Sequence, residues 1–217
     1  MLHLSNRLRA LADRIPPDAD VIDVGTDHAQ LPVWLALHGH KGHLIASDIH
    51  AGPLRSAEKL CYEYGLTDRI ELRLCDGLSG VSADEINFIV IAGMGGETMA
   101  AILSSALPLT PETKLLLQPN TKQHILRSFL AESQYMVDYE DILEEDGHLY
   151  SILEAERGGE RPLSLPELYI GKRELSGNNP NAKRLLCRIL RKMQPGTAFN
   201  PETAVIYEEL RRYADTL

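Results

Sequence analysis

A chain of 217 residues with 44% hydrophobic content is long enough for one full core and a small appendage, and no run of eighteen apolar residues marks a membrane-spanning helix. Its formal charge of −9 speaks against a polyanion partner for the chain as a whole, yet residues 1–160 hold 12 Lys+Arg against 25 Asp+Glu while 161–217 hold 10 against 6, so the tail is basic. Cys61, Cys75 and Cys187 are far apart and form no Cys-x-x-Cys pair, which speaks against a disulfide framework or a zinc knuckle.

The first stretch, MLHLSNRLRALADRI, mixes Arg, Asn and Asp into a helical period instead of forming a signal-like apolar block. The expectation is a soluble, cytoplasmic protein whose first helix, over 4–14, carries Leu4, Leu8, Leu11 and Ile15 along one side. Short apolar runs then alternate with helical patterns. Val21–Val24 reads as a strand, 29–38 as a helix, Leu44–Ser47 as a strand and 52–64 as a helix. Ile70–Leu74, Ile86–Ile91 and Lys114–Leu117 follow as strands, with helices over 95–106 and 121–132.

After residue 133, YMVDYEDILEE and HLYSILEAE alternate in polarity and meet at Asp146-Gly147, the signature of an antiparallel hairpin. Residues 158–182 are rich in Gly, Pro, Ser and Asn and read as a linker. Beyond it, KRLLCRILRKM and NPETAVIYEELRRYADTL flank Pro195-Gly196. Asn200 is a suitable cap and Pro201 a suitable first helical residue, so 183–217 reads as a helical hairpin. The whole is α/β: a Rossmann-like domain over 1–157 with a mostly parallel sheet ending in an antiparallel hairpin. That order is usual in class I methyltransferases, whereas nicotinamide dehydrogenases more often continue in parallel.

Three acids stand at successive strand ends, each of which alone is no more than a common helix cap. Asp23 precedes Gly25, in VIDVGTDHAQLP; Asp48 lies 23 residues past that glycine; Asp76-Gly77 closes the third strand. The first turn continues with Thr26, Asp27 and His28 where a dinucleotide site would continue with glycine, and a carboxylate beside a pyrophosphate is repulsive. S-adenosylmethionine has no phosphate and carries a sulfonium and an ammonium, both suited to carboxylates. Ala92-Gly93-Met94-Gly95-Gly96 offers an open backbone shelf after the fourth strand, and Gln118-Pro119-Asn120 offers two amides after the fifth. The spacing His38, His40, His43 lacks a nearby Cys or ordered carboxylate, so no metal is expected.

The ordered set DVGTDHAQLP, DIHAGPL, CDGL, IAGMGG, LQPN and EEDGHLYSIL resembles the bacterial tRNA (adenine-22-N1)-methyltransferase family over residues 4–156. The resemblance implies a methyltransferase acting on N1 of an adenine in tRNA with S-adenosylmethionine as methyl donor, and a helical appendage that helps to hold tRNA. Members of that family usually carry Glu at the position of Asp48 and an aromatic-containing helical segment after the position of Gly171, where this chain has a short tail.

By position, Asp23, Gly25, Thr26, His28, Asp48, Ile49, Asp76, Gly77, Ala92 and Gly93 are the candidates for the cofactor, and Asp27, Met94 and Asn120 for the target base. Arg184, Arg188 and Arg191 share one helical stripe and, with Arg7, are the candidates for RNA. Alternatives that the residues leave open are a small-molecule methyltransferase and a non-catalytic RNA-binding protein of the same fold. The sequence leaves the oligomeric state open.

Overall fold

The computed structural model describes residues 2–106, 109–172 and 179–217. Helix α1 (Asn6–Ala12) precedes β1 (Val21–Val24), α2 (Gln30–Leu37), β2 (Leu44–Asp48), α3 (Ala51–Glu63) and β3 (Glu71–Leu74). Then come β4 (Phe88–Gly95), α4 (Gly96–Ser105), β5 (Lys114–Thr121), α5 (Gln123–Glu132), β6 (Tyr135–Glu145) and β7 (His148–Arg157). Helices α6 (Leu165–Ile170), α7 (Pro180–Met193) and α8 (Pro201–Ala214) end the chain, with a 3-10 turn over Gln194–Ala198.

The strands form one seven-stranded sheet in the order β3-β2-β1-β4-β5-β7-β6. β7 pairs antiparallel with both neighbours while the other pairings are parallel, so the hairpin folds back and inserts its second arm beside β5. Its turn uses Asp146 (φ 48°) and Gly147 (φ 73°), the double left-handed step that suits the twist of a two-residue hairpin. Along the central strands, alternate residues bury on opposite faces. Val21, Leu44, Phe88 and Val90 belong to one cluster, and Ile22, Ile45, Ile89 and Leu115 to the other. Among the described residues no helix is long and apolar enough to cross a membrane.

The structure corrects the sequence reading at three places. β4 and β5 run past Ile91 and Leu117 to Gly95 and Thr121, so Ala92–Gly95 of the glycine shelf is strand. Its register slips between Ala92 and Met94 and again before Gly95, a bulge in which Gly93 takes φ 80°. The segment read as a linker contains α6, whose Ser164 and Glu167 form a capping box, and α7 starts at Pro180 under an Asn179 cap. Residues 173–178 of that linker lie outside the described residues.

The tail is fastened to the hairpin. Ile142 and Leu149 of β6 and β7 pack with Ile170, Ala182, Leu186 and Leu210 in a third apolar cluster. Beneath it, the fully buried Arg127 Nε meets Glu140 Oε1 at 2.7 Å, and Glu140 Oε2 accepts from the Lys172 amide at 2.7 Å. Gly171 (φ 94°) is required there, because a Cβ would overlap that carboxylate.

Candidate active site

Because β1, β2 and β3 lie parallel and in register, the turns after Val24, Asp48 and Leu74 open at one edge of the sheet. Asp23 sits one residue inside that edge, only 6% exposed, and its Oδ2 accepts from the Thr26 hydroxyl at 2.6 Å. Burial pushes its carboxyl up to about 6. The Thr26 hydrogen bond pulls the other way, and the negative field of Asp48 adds to the rise.

The turn that follows is tightly wound. Gly25 has φ 69°, and a Cβ on it would overlap the Met94 methyl, so this glycine serves both the turn and the close approach of β4. Asp27 and Ala29 also take left-handed backbone, at φ 53° and 54°, a conformation disfavoured for residues with a Cβ and concentrated at functional turns. The second of these delays the helix predicted over 29–38 by one residue, so that α2 starts at Gln30. The Asp27 side chain is 75% exposed, with Oδ1 3.5 Å from His28 Nε2.

A cavity of about 410 Å³ brings Asp23, Gly25, Thr26, Asp27 and His28 to one wall and Ala92, Gly93, Met94 and Asn120 to another. Nine residues assigned from strand-end position thus share one space. Asp48, Ile49, Asp76 and Gly77 do not line it. They continue the same sheet edge outward: Asp48 accepts from the His50 amide at 2.8 Å, Ile49 is 54% exposed, Asp76 is exposed, and Gly77 (φ 55°) turns over Ile102. The site is therefore a cleft continued by an open, acid-edged shelf.

One amide and one arginine behave differently from expectation. Gln118 is fully buried, so it does not face a base. It accepts from Arg7 at 2.8 Å and donates to Asn120 Oδ1 at 3.0 Å, and Asn120 in turn donates to the Gly93 carbonyl at 2.7 Å. This relay fixes the plane of the Asn120 amide and leaves it one further hydrogen and one further lone pair to offer. Arg7, assigned to an RNA surface, instead lines the cavity and lies 3.9 Å from Glu145. The apolar period of the first helix gave its buried face but not the partner of Arg7, which stands 111 residues away. Ser5, Gln30 and Leu31 also line the cavity and were not among the assigned residues, although Gln30 and Leu31 close the DVGTDHAQLP motif.

The other basic candidates lie on α7. Arg184 is held by Glu144 through two contacts of 2.6 and 2.7 Å, which occupies its guanidinium and weakens its claim as a phosphate ligand. Arg188 donates to the Gly147 carbonyl at 2.9 Å, and Arg191 is exposed. The three histidines considered for a metal are separately engaged: His38 stacks on Trp34, His40 meets the Ala19 carbonyl at 2.7 Å and His43 lies 3.2 Å from Glu71. Among the described residues no group of three or more His, Cys, Asp or Glu is placed to hold a metal ion.

Residues 4–153 match a family model described as a methyltransferase domain. Over 216 residues the chain is 37% identical to the tRNA (adenine(22)-N(1))-methyltransferase of Bacillus subtilis, covering 99% of this chain and 89% of that one. The crystal structure of the B. subtilis M1A22 tRNA methyltransferase TrmK superposes with a TM-score of 0.86 at 31% identity, covering 99% and 97% of the two chains. M. capricolum TrmK, in complex with S-adenosyl-homocysteine, gives 0.86 at 27% identity over 98% of each. The similarity thus runs through the basic tail as well, beyond the residue 156 at which the motifs stop.

Proposed function

Since this chain belongs to the tRNA (adenine(22)-N1)-methyltransferase family, we propose that the cavity at the sheet edge is where N1 of an adenine in tRNA, adenine 22, takes a methyl group from S-adenosylmethionine. The observation that carries this site assignment is the convergence of the Asp23–His28 turn, the Ala92–Met94 bulge and Asn120 on one cavity.

The residues suit the donor. Asp23 offers a buried carboxylate to an ammonium, and the left-handed glycines Gly25 and Gly93 clear backbone for close approach. On the shelf, Asp48 can accept from ribose hydroxyls, exposed Ile49 presents an apolar face to an adenine ring, and Asp76-Gly77 meets its edge. When bound, the donor supplies an electrophilic methyl on a sulfonium.

Adenine N1 carries its lone pair in the ring plane and attacks without losing a proton. The N1–C bond forms as the S–C bond breaks, and the methylated base becomes cationic. The chain's task is therefore to position and to stabilise charge. Met94 and the Gly93 backbone form the wall against which the base aligns. Asn120, its amide plane set by Gln118 and Gly93, offers hydrogen bonds to the base edge. Asp27 accepts from the exocyclic amine as it gains acidity. His28, 3.5 Å from Asp27, orients that carboxylate. Arg188 and Arg191 meet backbone phosphates.

The deciding experiment transfers labelled methyl groups from S-adenosylmethionine to unmodified tRNA transcripts with adenine or guanine at position 22. Transfer to the adenine transcript alone, recovered as 1-methyladenosine, is expected. Transfer to neither, with donor binding intact, would overturn the tRNA reading. For the site, Asp27→Ala is expected to lower turnover about a hundredfold and leave donor affinity nearly unchanged; equal loss of both would remove Asp27 from the base.

A further inference from the structure

We propose that a second cavity, beside the first, receives the unpaired base of the nucleotide flanking the target adenine, with its phosphate held by Arg188 and Lys192; this rests on the tRNA reading above. The cavity holds about 560 Å³, is larger than the first, and shares Asn120 with it. It opens between the start of α5, the hairpin tip and α7.

Its walls have the chemistry of a stacking site. His124 and Tyr169 lie face to face, with ring centroids 4.5 Å apart and planes 6° from parallel. Burial, reinforced by the charges of Arg127 and Lys122, lowers the His124 pKa and keeps the imidazole neutral, while burial raises that of the Tyr169 phenol and keeps it protonated. Stacked on each other, the two neutral rings leave no room for a base between them and offer an outer face of the pair, without the hydrogen-bond code that a sequence-specific pocket would need. Tyr150 adds a third ring from β7, with the Arg7 guanidinium 5.6 Å from its centre. Arg7 also begins the relay to Asn120, so the two cavities share a wall and a hydrogen-bonded chain.

The rim is cationic. Arg188 and Lys192 stand one helical turn apart on α7 and both line the opening. Arg188 donates to the Gly147 carbonyl, and it shares the field of Glu144 with Arg184, which holds that carboxylate directly. A floor of neutral rings with cations at the edge matches an extruded nucleotide. The occupant is the neighbour of the target adenine, because the target's N1 must reach the Asp23–Gly25–Met94 wall, which belongs to the other cavity.

The test measures binding of full-length chain to tRNA transcripts that are intact or abasic at the nucleotide on either side of the target adenine. Wild type is expected to lose about tenfold or more in tRNA affinity for the abasic form at one flank. Tyr169→Leu is expected to lose a similar factor on intact tRNA and nothing further on that abasic tRNA. Tyr169→Phe, which keeps the ring, should recover most of the loss, and S-adenosylmethionine affinity should stay within about twofold throughout. The double variant Arg188→Gln/Lys192→Gln, at a half-buried and an exposed position outside the cores, should flatten the salt dependence of tRNA binding by about one to two in log–log slope.

Losses that multiply between Tyr169→Leu and the abasic flank, or abasic flanks that cost nothing, would overturn the proposal. So would an unchanged salt slope in the double variant. Wild type that methylates intact tRNA while ignoring both abasic flanks would refute this subsite alone, whereas wild type that methylates no tRNA would refute the reading beneath it.

Discussion

Asp23→Asn separates what a buried carboxylate costs the fold from what it gives the ligand. Asp23 is 6% exposed and its pKa rises from 3.8 to about 6, chiefly through desolvation. The native state therefore holds this proton more tightly than the unfolded chain. The associated stability is fully present below pH about 4 and is lost as pH rises through about 6. A shift of about two units at about 1.4 kcal/mol each makes the charged carboxylate cost up to about 3 kcal/mol at pH 8. Asparagine removes that cost and keeps an oxygen to accept from the Thr26 hydroxyl, now 2.6 Å from the carboxylate. In the absence of ligand the variant should melt about 6 to 12 °C above wild type at pH 8, with the difference closing toward pH 4. Its affinity for S-adenosylmethionine should fall at least about tenfold, because a neutral amide replaces a carboxylate facing an ammonium. Thermal unfolding from pH 4 to 8, with calorimetric titration of the donor at pH 8, measures both. A variant that melts no higher than wild type at pH 8, or that binds the donor as tightly, would refute the reasoning.

Gly25→Ala should cost both stability, by about 1–3 kcal/mol, and donor affinity, since φ 69° and the Met94 methyl each oppose a Cβ. Gly25→Ala/Met94→Ala, compared by thermal melting, should recover only the steric share. Gln118→Leu cuts the relay from Arg7 to Asn120 at a fully buried point, and should lower kcat about tenfold while leaving the donor Kd within about twofold. A proportional loss in both would mean that Gln118 supports the donor instead of the base. Arg127→Met leaves Glu140 buried without its guanidinium and should lower unfolding stability by about 3–5 kcal/mol in a urea titration, with donor affinity unchanged at 25 °C.

What sequence could and could not reveal here has physical causes. The central strands were legible because a sheet covered on both faces requires near-continuous apolar runs, as in Val21–Val24 and Lys114–Leu117. The acids at strand ends were legible because the strand itself fixes where its carboxyl end points. The extension of β4 and β5 was not, since AGMGG and QPN carry the residues that usually end a strand. There the glycines permit a close backbone approach: a Cβ on Gly96 would overlap the Lys122 carbonyl. Helix α6 is six residues long, too short to show a helical period, although its Ser164–Glu167 capping box stood in the sequence. The roles of Arg7, Arg184 and Gln118 depend on partners 111, 40 and 111 residues away, a distance no local pattern spans.

The charge segregation of the chain follows from the reaction it carries. Methyl transfer moves one positive charge from the donor to the adenine, so the cavity must favour a cation before and after the step while refusing the phosphates that accompany the base. Carboxylates do both. Two line the cavity, Asp23 buried and Asp27 largely exposed. The cavity's carboxylates repel the RNA backbone and its Arg7 is engaged by Gln118 and Glu145, so the grip on phosphate must come from elsewhere. The basic α7, packed against the hairpin through Ile142, Leu149, Leu185 and Leu186, brings Arg188 and Lys192 to an opening that Asn120 shares with the acidic cavity. Beneath that packing, the buried Arg127–Glu140 pair and the Lys172 amide tie α5, β6 and the segment after α6 to one another.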